Sequence, residues 1–118
     1  MHADEPDFDA LAVAARTERV AGGGRAGFDA LATPLRPRLV FALQRETRCR
    51  ADAEDAAQTA LLRLWDKLEL WDPRRPFMPW CFTVAFRCLR DQQRKAKRRL
   101  KAGAANGPDR ADPAGRRP

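Results

Sequence analysis

The chain contains no isoleucine, no tyrosine and only four valines. Strands draw on β-branched and aromatic side chains, so a sheet is excluded as the main architecture. No apolar run approaches the roughly 20 residues that a membrane span requires. The one histidine is His2, and Cys49, Cys81 and Cys88 form no C-x-x-C pair. A zinc site needs about four ligands at closer, paired spacing, so no metal is expected and the cysteines read as small apolar side chains. No cofactor is expected either. There is no Gly-rich phosphate loop after a strand, no Ser/His/Asp or Cys/His arrangement and no carboxylate pair that reads as buried, so the sequence argues against an enzyme. Residues 1–9 hold four acids and no Lys or Arg, the wrong sign for a signal peptide, and the chain is expected to be cytoplasmic.

What is present points to helices. The 118 residues include 22 alanines and 12 leucines, both good helix formers. That length suits one small domain. With 44% apolar and 33% charged residues, each helix should bury one face and leave the other in water. The expected fold is all-α, a compact domain of three to four helices. The pI near 10.3 calls for an acidic partner, nucleic acid first and an anionic membrane surface second.

Along the chain, residues 1–6 read as a tail. Phe8, Leu11, Ala12 and Ala15 keep helical spacing over roughly 7–20, and Gly22-Gly23-Gly24 ends that short helix. Phe28, Leu31, Leu35, Leu39 and Leu43 form a second stripe, interrupted by Pro34 and Pro37. Each proline removes a helical donor and clashes with the preceding turn, which predicts a kink or a break, or a fresh helix opening at one of them. A third helix should start at Asp52 as N-cap with Asp55 in the capping-box position, bury Ala57, Leu61, Leu64, Trp65 and Leu68, and end at Asp72-Pro73. In the fourth, Pro79 fits only a first turn, and Cys81, Val84, Ala85, Cys88 and Leu89 form the apolar face.

Three constellations carry functional weight. At the start of the third helix, Asp52, Glu54, Asp55 and Gln58 serve either as ordinary capping and solvated polar groups or as a protein-docking surface. Residues 87–101 carry eight basic side chains against one acid, Asp91, equal to the formal charge of the whole chain. On a continuous helix Arg87, Arg90, Arg94, Lys97 or Arg98, and Lys101 share a face about 20 Å long. Like charges at i+4 oppose a free helix, so the stripe is costly without a polyanion; the alternatives are a solvated face or a membrane surface. Phe77, Trp80, Phe82 and Phe86 precede the stripe, as core packing or as platforms for unpaired bases, with Phe82 and Phe86 the better stacking candidates.

The order of these segments resembles region 2 of bacterial sigma-70 family factors, above all the small extracytoplasmic-function group. The resemblance rests on Asp52-Ala53-Glu54-Asp55-Ala56-Ala57-Gln58, Leu61-Leu62-Arg63-Leu64-Trp65, Pro76-Phe77-Met78-Pro79-Trp80-Cys81-Phe82 and Arg90-Asp91-Gln92-Gln93-Arg94-Lys95, with Phe28 to Leu39 similar to the opening helix. It covers roughly residues 26–101.

The resemblance implies that Asp52, Glu54, Asp55, Gln58, Leu62 and Trp65 form the surface that docks on the clamp helices of core RNA polymerase. It likewise implies that the helix from Trp80 to Lys101 melts and reads the promoter minus-ten region, partly as single strand. Its Arg87, Arg90, Arg94, Lys95 and Arg98 would hold the backbone of the opening strand. The basic stripe adds Lys97 and Lys101 as candidate DNA contacts, and Trp80, Phe82 and Phe86 beside it are candidates to stack on bases. An anti-sigma factor is a further implied partner, and a membrane is not. Three positions depart from the family's pattern: Arg87 stands where Asn is common, Cys81 where Leu is usual, and Pro34 lies inside the first helix. The seventeen residues after Lys101 are too few for the family's second, helix-turn-helix domain.

The expected organisation is therefore an N-terminal tail and short helix over 1–25, a sigma region 2-like domain over 26–101 and a disordered basic tail over 102–118. The expected function is transcription initiation, with no catalysis of its own. The alternative is a regulatory module that binds core polymerase or an anti-sigma factor without directing initiation.

Overall fold

The computed structural model describes residues 5–105. Four helices follow in order: α1 (Phe8–Gly22), α2 (Ala26–Gln44), α3 (Arg50–Lys67) and α4 (Phe77–Ala105), with a single 3₁₀ turn, Leu68–Leu70, after α3. There is no strand among the described residues, as the composition requires. The chain divides within α4 into two compact units, one up to Cys88 and one from Leu89 onward.

In the first unit α1 starts where Asp7 caps it, its Oδ1 accepting from Ala10 N at 3.1 Å. It ends at Gly23, whose φ of 78° is left-handed and whose N–H donates to Arg19 O. Only glycine takes that conformation without steric cost. The chain then reverses tightly into α2. Glu18 reaches across this reversal, its Oε1 accepting from Gly27 N at 2.6 Å, so a carboxylate of α1 does the capping that Arg25 cannot do for α2. A Cβ at Gly27 would lie 2.9 Å from that carboxylate and 3.1 Å from the Ala15 backbone, which is how closely the two helices approach.

Contrary to expectation, α2 runs unbroken through Pro34 and Pro37. The carbonyls these prolines leave without donors belong to Ala30 and Thr33, both exposed, so water can take them. Meanwhile Phe28, Leu31, Leu35, Leu39, Val40 and Leu43 stay buried on the opposite stripe, and that burial holds the helix together across the defect. The apolar face outweighs the local rule.

The third helix starts earlier than the sequence suggested. Its N-cap is Cys49, extended at φ −95° and ψ 113°, without a side-chain cap bond, and Asp52 lies in the first turn. Thr47 Oγ1 accepts from Cys49 N at 3.4 Å and Glu54 pairs with Arg50 at 2.9 Å, two local contacts that carry the helix back past Asp52. The helix also ends earlier, at Lys67, with the 3₁₀ turn before Asp72. Its buried stripe includes Ala53, Ala56 and Ala60 beside Ala57, Leu61 and Leu64. Small side chains let α3 lie close to its neighbours.

Trp65 is only half-buried. The guanidinium carbons of Arg19 and Arg25 each lie 4.6 Å from its ring centroid, and the Phe28 ring meets it edge-on at 5.4 Å. Arg19 Nε also donates to Trp65 O at 2.9 Å, and its Nη1 pairs with the Glu69 carboxylate. One side chain of α1 thereby holds a tryptophan face, a C-terminal carbonyl of α3 and the following 3₁₀ turn.

At the start of α4, Phe77 N donates to Asp9 Oδ1 of α1 at 2.8 Å, so an acid distant in sequence serves as its cap. Pro79 falls in the first turn, where its missing donor costs nothing. Cys81, Val84, Ala85 and Cys88 are buried as expected. Glu5, read as part of the N-terminal tail, pairs with Arg38 at 2.7 Å. At the other end α4 continues past Lys101 to Ala105, because Ala102, Ala104 and Ala105 are strong helix formers despite Gly103. The remainder of the expected tails, 1–4 and 106–118, lies outside the described residues.

Two stability measurements follow. Replacing Arg19 by Met keeps the stem but removes the charged donor; the urea midpoint should fall by the equivalent of about 2 kcal/mol with an unchanged slope. Pro37→Ala, on an exposed position of a continuous helix, should raise stability by about 1–2 kcal/mol, less than the full helix-interior penalty because proline also restrains the unfolded chain. A loss of stability in Pro37→Ala would mean that the helix is not continuous there.

Candidate protein and nucleic-acid interfaces

The polar start of α3 faces water. Asp52, Asp55 and Gln58 are exposed, and Glu54 is half-buried beside Arg50. Gln58 Oε1 accepts from Arg36 Nη1 of α2. Further along, Leu62 is an exposed aliphatic side chain at 54% of its full accessibility. Asp55, Gln58 and Leu62, spaced by three and four, lie along one face: a carboxylate, an amide and an apolar contact in series. Trp65 is set apart from them by its engagement with Arg19, Arg25 and Phe28. α2 supplies the neighbouring surface, which the sequence reasoning assigned no role. Arg36, Pro37, Val40, Phe41 and Gln44 line a shallow hollow of about 360 Å³ with Arg50 and Glu54 of α3. Phe41, at 66% exposure, falls off the i, i+3, i+4 stripe of α2, and that off-stripe aromatic was the available signal.

The aromatic residues of α4 fall into two separate places. Phe77 is fully buried and meets Trp71 edge-on at 5.3 Å. Trp80 lies 5.8 Å from Phe77 and 6.5 Å from Trp71, half-buried on the outside of this cluster. It borders an open hollow of about 450 Å³ lined also by Leu70, Asp72, Arg75, Pro76, Pro79 and Thr83. The loop behind it is fixed by Asp72, whose carboxylate accepts from Arg74 N at 3.0 Å and Nε at 3.1 Å. The Arg74 guanidinium and backbone N–H hold the Asp72 carboxyl below the usual range. Phe82 and Phe86, 6.3 Å apart, line a different hollow with α2. Trp80 is thus set apart from Phe82 and Phe86, the pair that the sequence singled out as the better stacking candidates. Arg87 is exposed.

In the second unit α4 carries Arg90, Arg94, Lys95, Lys97, Arg98, Arg99 and Lys101, all exposed. Asp91, the one acid of this stretch, pairs with Arg94 one turn on. A single carboxylate offsets little of so dense a cationic run, and the exposed cations project a positive field. Leu100 is exposed among them.

Among the described residues no three His, Cys, Asp or Glu side chains converge as metal ligands would. Burial pushes the Cys81 thiol up to about 12, so it stays protonated and inert at neutral pH. Among the same residues no helix is long and apolar enough to cross a membrane.

The chain is similar to proteins described as ECF RNA polymerase sigma factor SigL from strains of Mycobacterium tuberculosis, among them Erdman and CDC 1551. Identity is 40% over 57 residues, which is 48% of this chain and 32% of each relative. The match thus spans about a third of the length of these curated relatives. No solved structure matches significantly. Residues 31–99, more than half of the chain and the segment that contains α3 and the basic part of α4, match the family described as Sigma-70 region 2, and the chain belongs to that family.

Proposed function

We propose that this chain acts in transcription initiation as a sigma-type region 2, with residues 26–101 as its working domain. It binds core RNA polymerase through α3 and promoter DNA through α4. The observation that carries the proposal is the separation of charge and chemistry between two helices. α3 offers a carboxylate, an amide and a leucine on one exposed face, and α4 offers seven exposed cations from Arg90 to Lys101.

On this reading Asp55, Gln58 and Leu62 make the central contacts with the clamp helices of the polymerase, with Asp52 and Glu54 adding negative charge that attracts a basic partner. Trp65 acts as a positioning residue, since its ring is already engaged by Arg19 and Arg25. Arg87, Arg90, Arg94, Lys95, Lys97, Arg98 and Lys101 hold phosphates of the opening strand. Trp80, half-buried beside an open hollow, meets a base at the melting point, a role suited to an aromatic ring braced by two others. The chain carries out no reaction of its own, since bond formation belongs to the polymerase. Family membership supports the reading, as does similarity to proteins named as sigma factors of RNA polymerase.

Purified chain should co-elute with bacterial core polymerase in stoichiometric amount. Asp55→Arg should abolish that complex and Gln58→Ala weaken it by about fivefold, the loss of roughly one interfacial hydrogen bond, while circular dichroism stays unchanged. Core binding with no transcript from any promoter placed upstream would identify a competitor for the polymerase instead of an initiator. Absence of core binding would refute the docking role.

Affinity for promoter DNA should fall with salt at a log–log slope of about −4 to −5, corresponding to five or six neutralised phosphates. Each of Arg90→Ala, Arg94→Ala and Lys101→Ala should reduce that slope by about one unit. A salt-independent affinity would remove the basic helix from the DNA contact.

A further inference from the structure

Between α2 and the first part of α4 lies a groove with an apolar floor and a mainly basic rim. Phe41, Ala42, Phe82 and Phe86 line it with Arg38, Arg45 and Glu46, enclosing about 580 Å³. The Phe82 and Phe86 rings are tilted by 40° at 6.3 Å and are half-buried, while Phe41 stands 66% exposed at the edge. Three phenyl rings around one open hollow make a contiguous apolar patch, which on a soluble surface marks an interaction site. Both walls are helical, with Phe41 and the α2 C-cap Arg45 four apart on one and Phe82 and Phe86 four apart on the other. Side chains four apart on two facing helices leave a groove that accepts the side chains of a third.

The charges select the occupant. Arg38 and Arg45 stand seven residues apart, about 10 Å along α2 at about 1.5 Å per residue, matching positions i and i+7 of an incoming helix. Arg38 is paired with Glu5, with side chains 43% and 36% exposed, a surface pair weak enough for an incoming carboxylate to replace Glu5. The exposed start of α3 is acidic and suits a basic partner, so a segment that fits that face would not fit this groove. A nucleic-acid strand would need a line of cations tracking its backbone. Here Glu46 interrupts the rim and phenyl rings form the floor.

We propose that this groove holds an acidic amphipathic helix of a protein partner. Its apolar residues at i+3 and i+4 seat on Phe41, Phe82 and Phe86, and its carboxylates at i and i+7 face Arg38 and Arg45. The proposal does not rest on the polymerase reading. It does place the occupant next to the α3 surface, because Phe41 also borders the hollow that Glu54 lines. A protein seated here is positioned to influence whatever docks on α3.

The test uses the full chain and a fluorescent amidated peptide of about three heptads repeating Glu-Gln-Ala-Leu-Leu-Ala-Gln, which has the required spacing. A second peptide carries Lys for every Glu. The glutamate peptide should bind saturably, and Phe41→Ser or Arg45→Glu should weaken it by about tenfold without altering the thermal melt, since both side chains are exposed. The Arg45→Glu chain should in turn prefer the lysine peptide, a charge exchange that misfolding cannot produce. Several results would overturn the proposal: no saturable binding of the glutamate peptide, equal binding of the two peptides, or indifference to both substitutions. Displacement of the peptide by single-stranded oligothymidine, with Phe41→Ser abolishing oligothymidine binding, would assign the groove to nucleic acid and overturn it as well.

Discussion

The Arg19 side chain ties together parts of the first unit that hydrophobic burial alone would leave loosely joined. α3 is rich in alanine on its buried face, and alanine removes little apolar surface from water compared with leucine. Its far end therefore needs another anchor. Arg19 supplies it by stacking on Trp65, donating to the Trp65 carbonyl and pairing with Glu69 in the turn beyond. A cation at a helix C-terminus also meets the negative end of the peptide dipoles. Arg25 covers the other contact with the indole, so the tryptophan is gripped by charges on either side of the α1–α2 reversal. With the end of α3 held in this way, its first half can remain exposed and polar.

The same economy governs the acids of α1. Asp9 caps α4 through Phe77 N, and Glu18 caps α2 through Gly27 N. These two carboxylates satisfy helix-terminal donors that have no local side chain to take them, so each costs the surface little and fixes one inter-helix geometry. α1 thus contributes an arginine and two carboxylates whose partners are all on other helices. It buries only Phe8, Ala12 and Ala15. Its contribution to the unit is more polar than its amphipathic pattern suggests.

Sequence periodicity made four helices legible, together with most of the core: the leucine stripe of α2 and the Cys81/Val84/Cys88 face of α4 lie where the spacing put them. The acidic start of α3 and the cationic run of α4 were equally readable, because charge density survives any folding. What the sequence did not disclose depends on long-range partners. The proline rule predicted a kink, a break or a fresh helix start in α2, but it weighs only the local ladder, and six buried residues on the far stripe keep the helix unbroken. Asp52 has the composition of an N-cap, yet the helix starts from Cys49 because of contacts from Thr47 and Arg50 that no capping rule includes. Trp65 reads as a stripe residue until two arginines from outside α3 are known to enclose it. Phe41 and Arg36 escaped notice as surface features because nothing in α2 alone says which neighbour they border.

The division of the α4 aromatics bears on how one helix can serve two kinds of partner. Successive residues of a helix are rotated by about 100°, so rings separated by two or six positions from Trp80 point away from it. Trp80 is braced by Trp71 and Phe77, and a braced ring offers a flat face at low entropic cost. Phe82 and Phe86 pair with each other at 6.3 Å and share their hollow with Phe41 of α2. A rigid ring beside an open hollow suits a planar base, whereas three rings shared between two helices suit the rounded side chains of another helix. Under the two proposals the first half of α4 meets nucleic acid on one side and protein on the other, because its aromatic residues are spaced to fall on different faces.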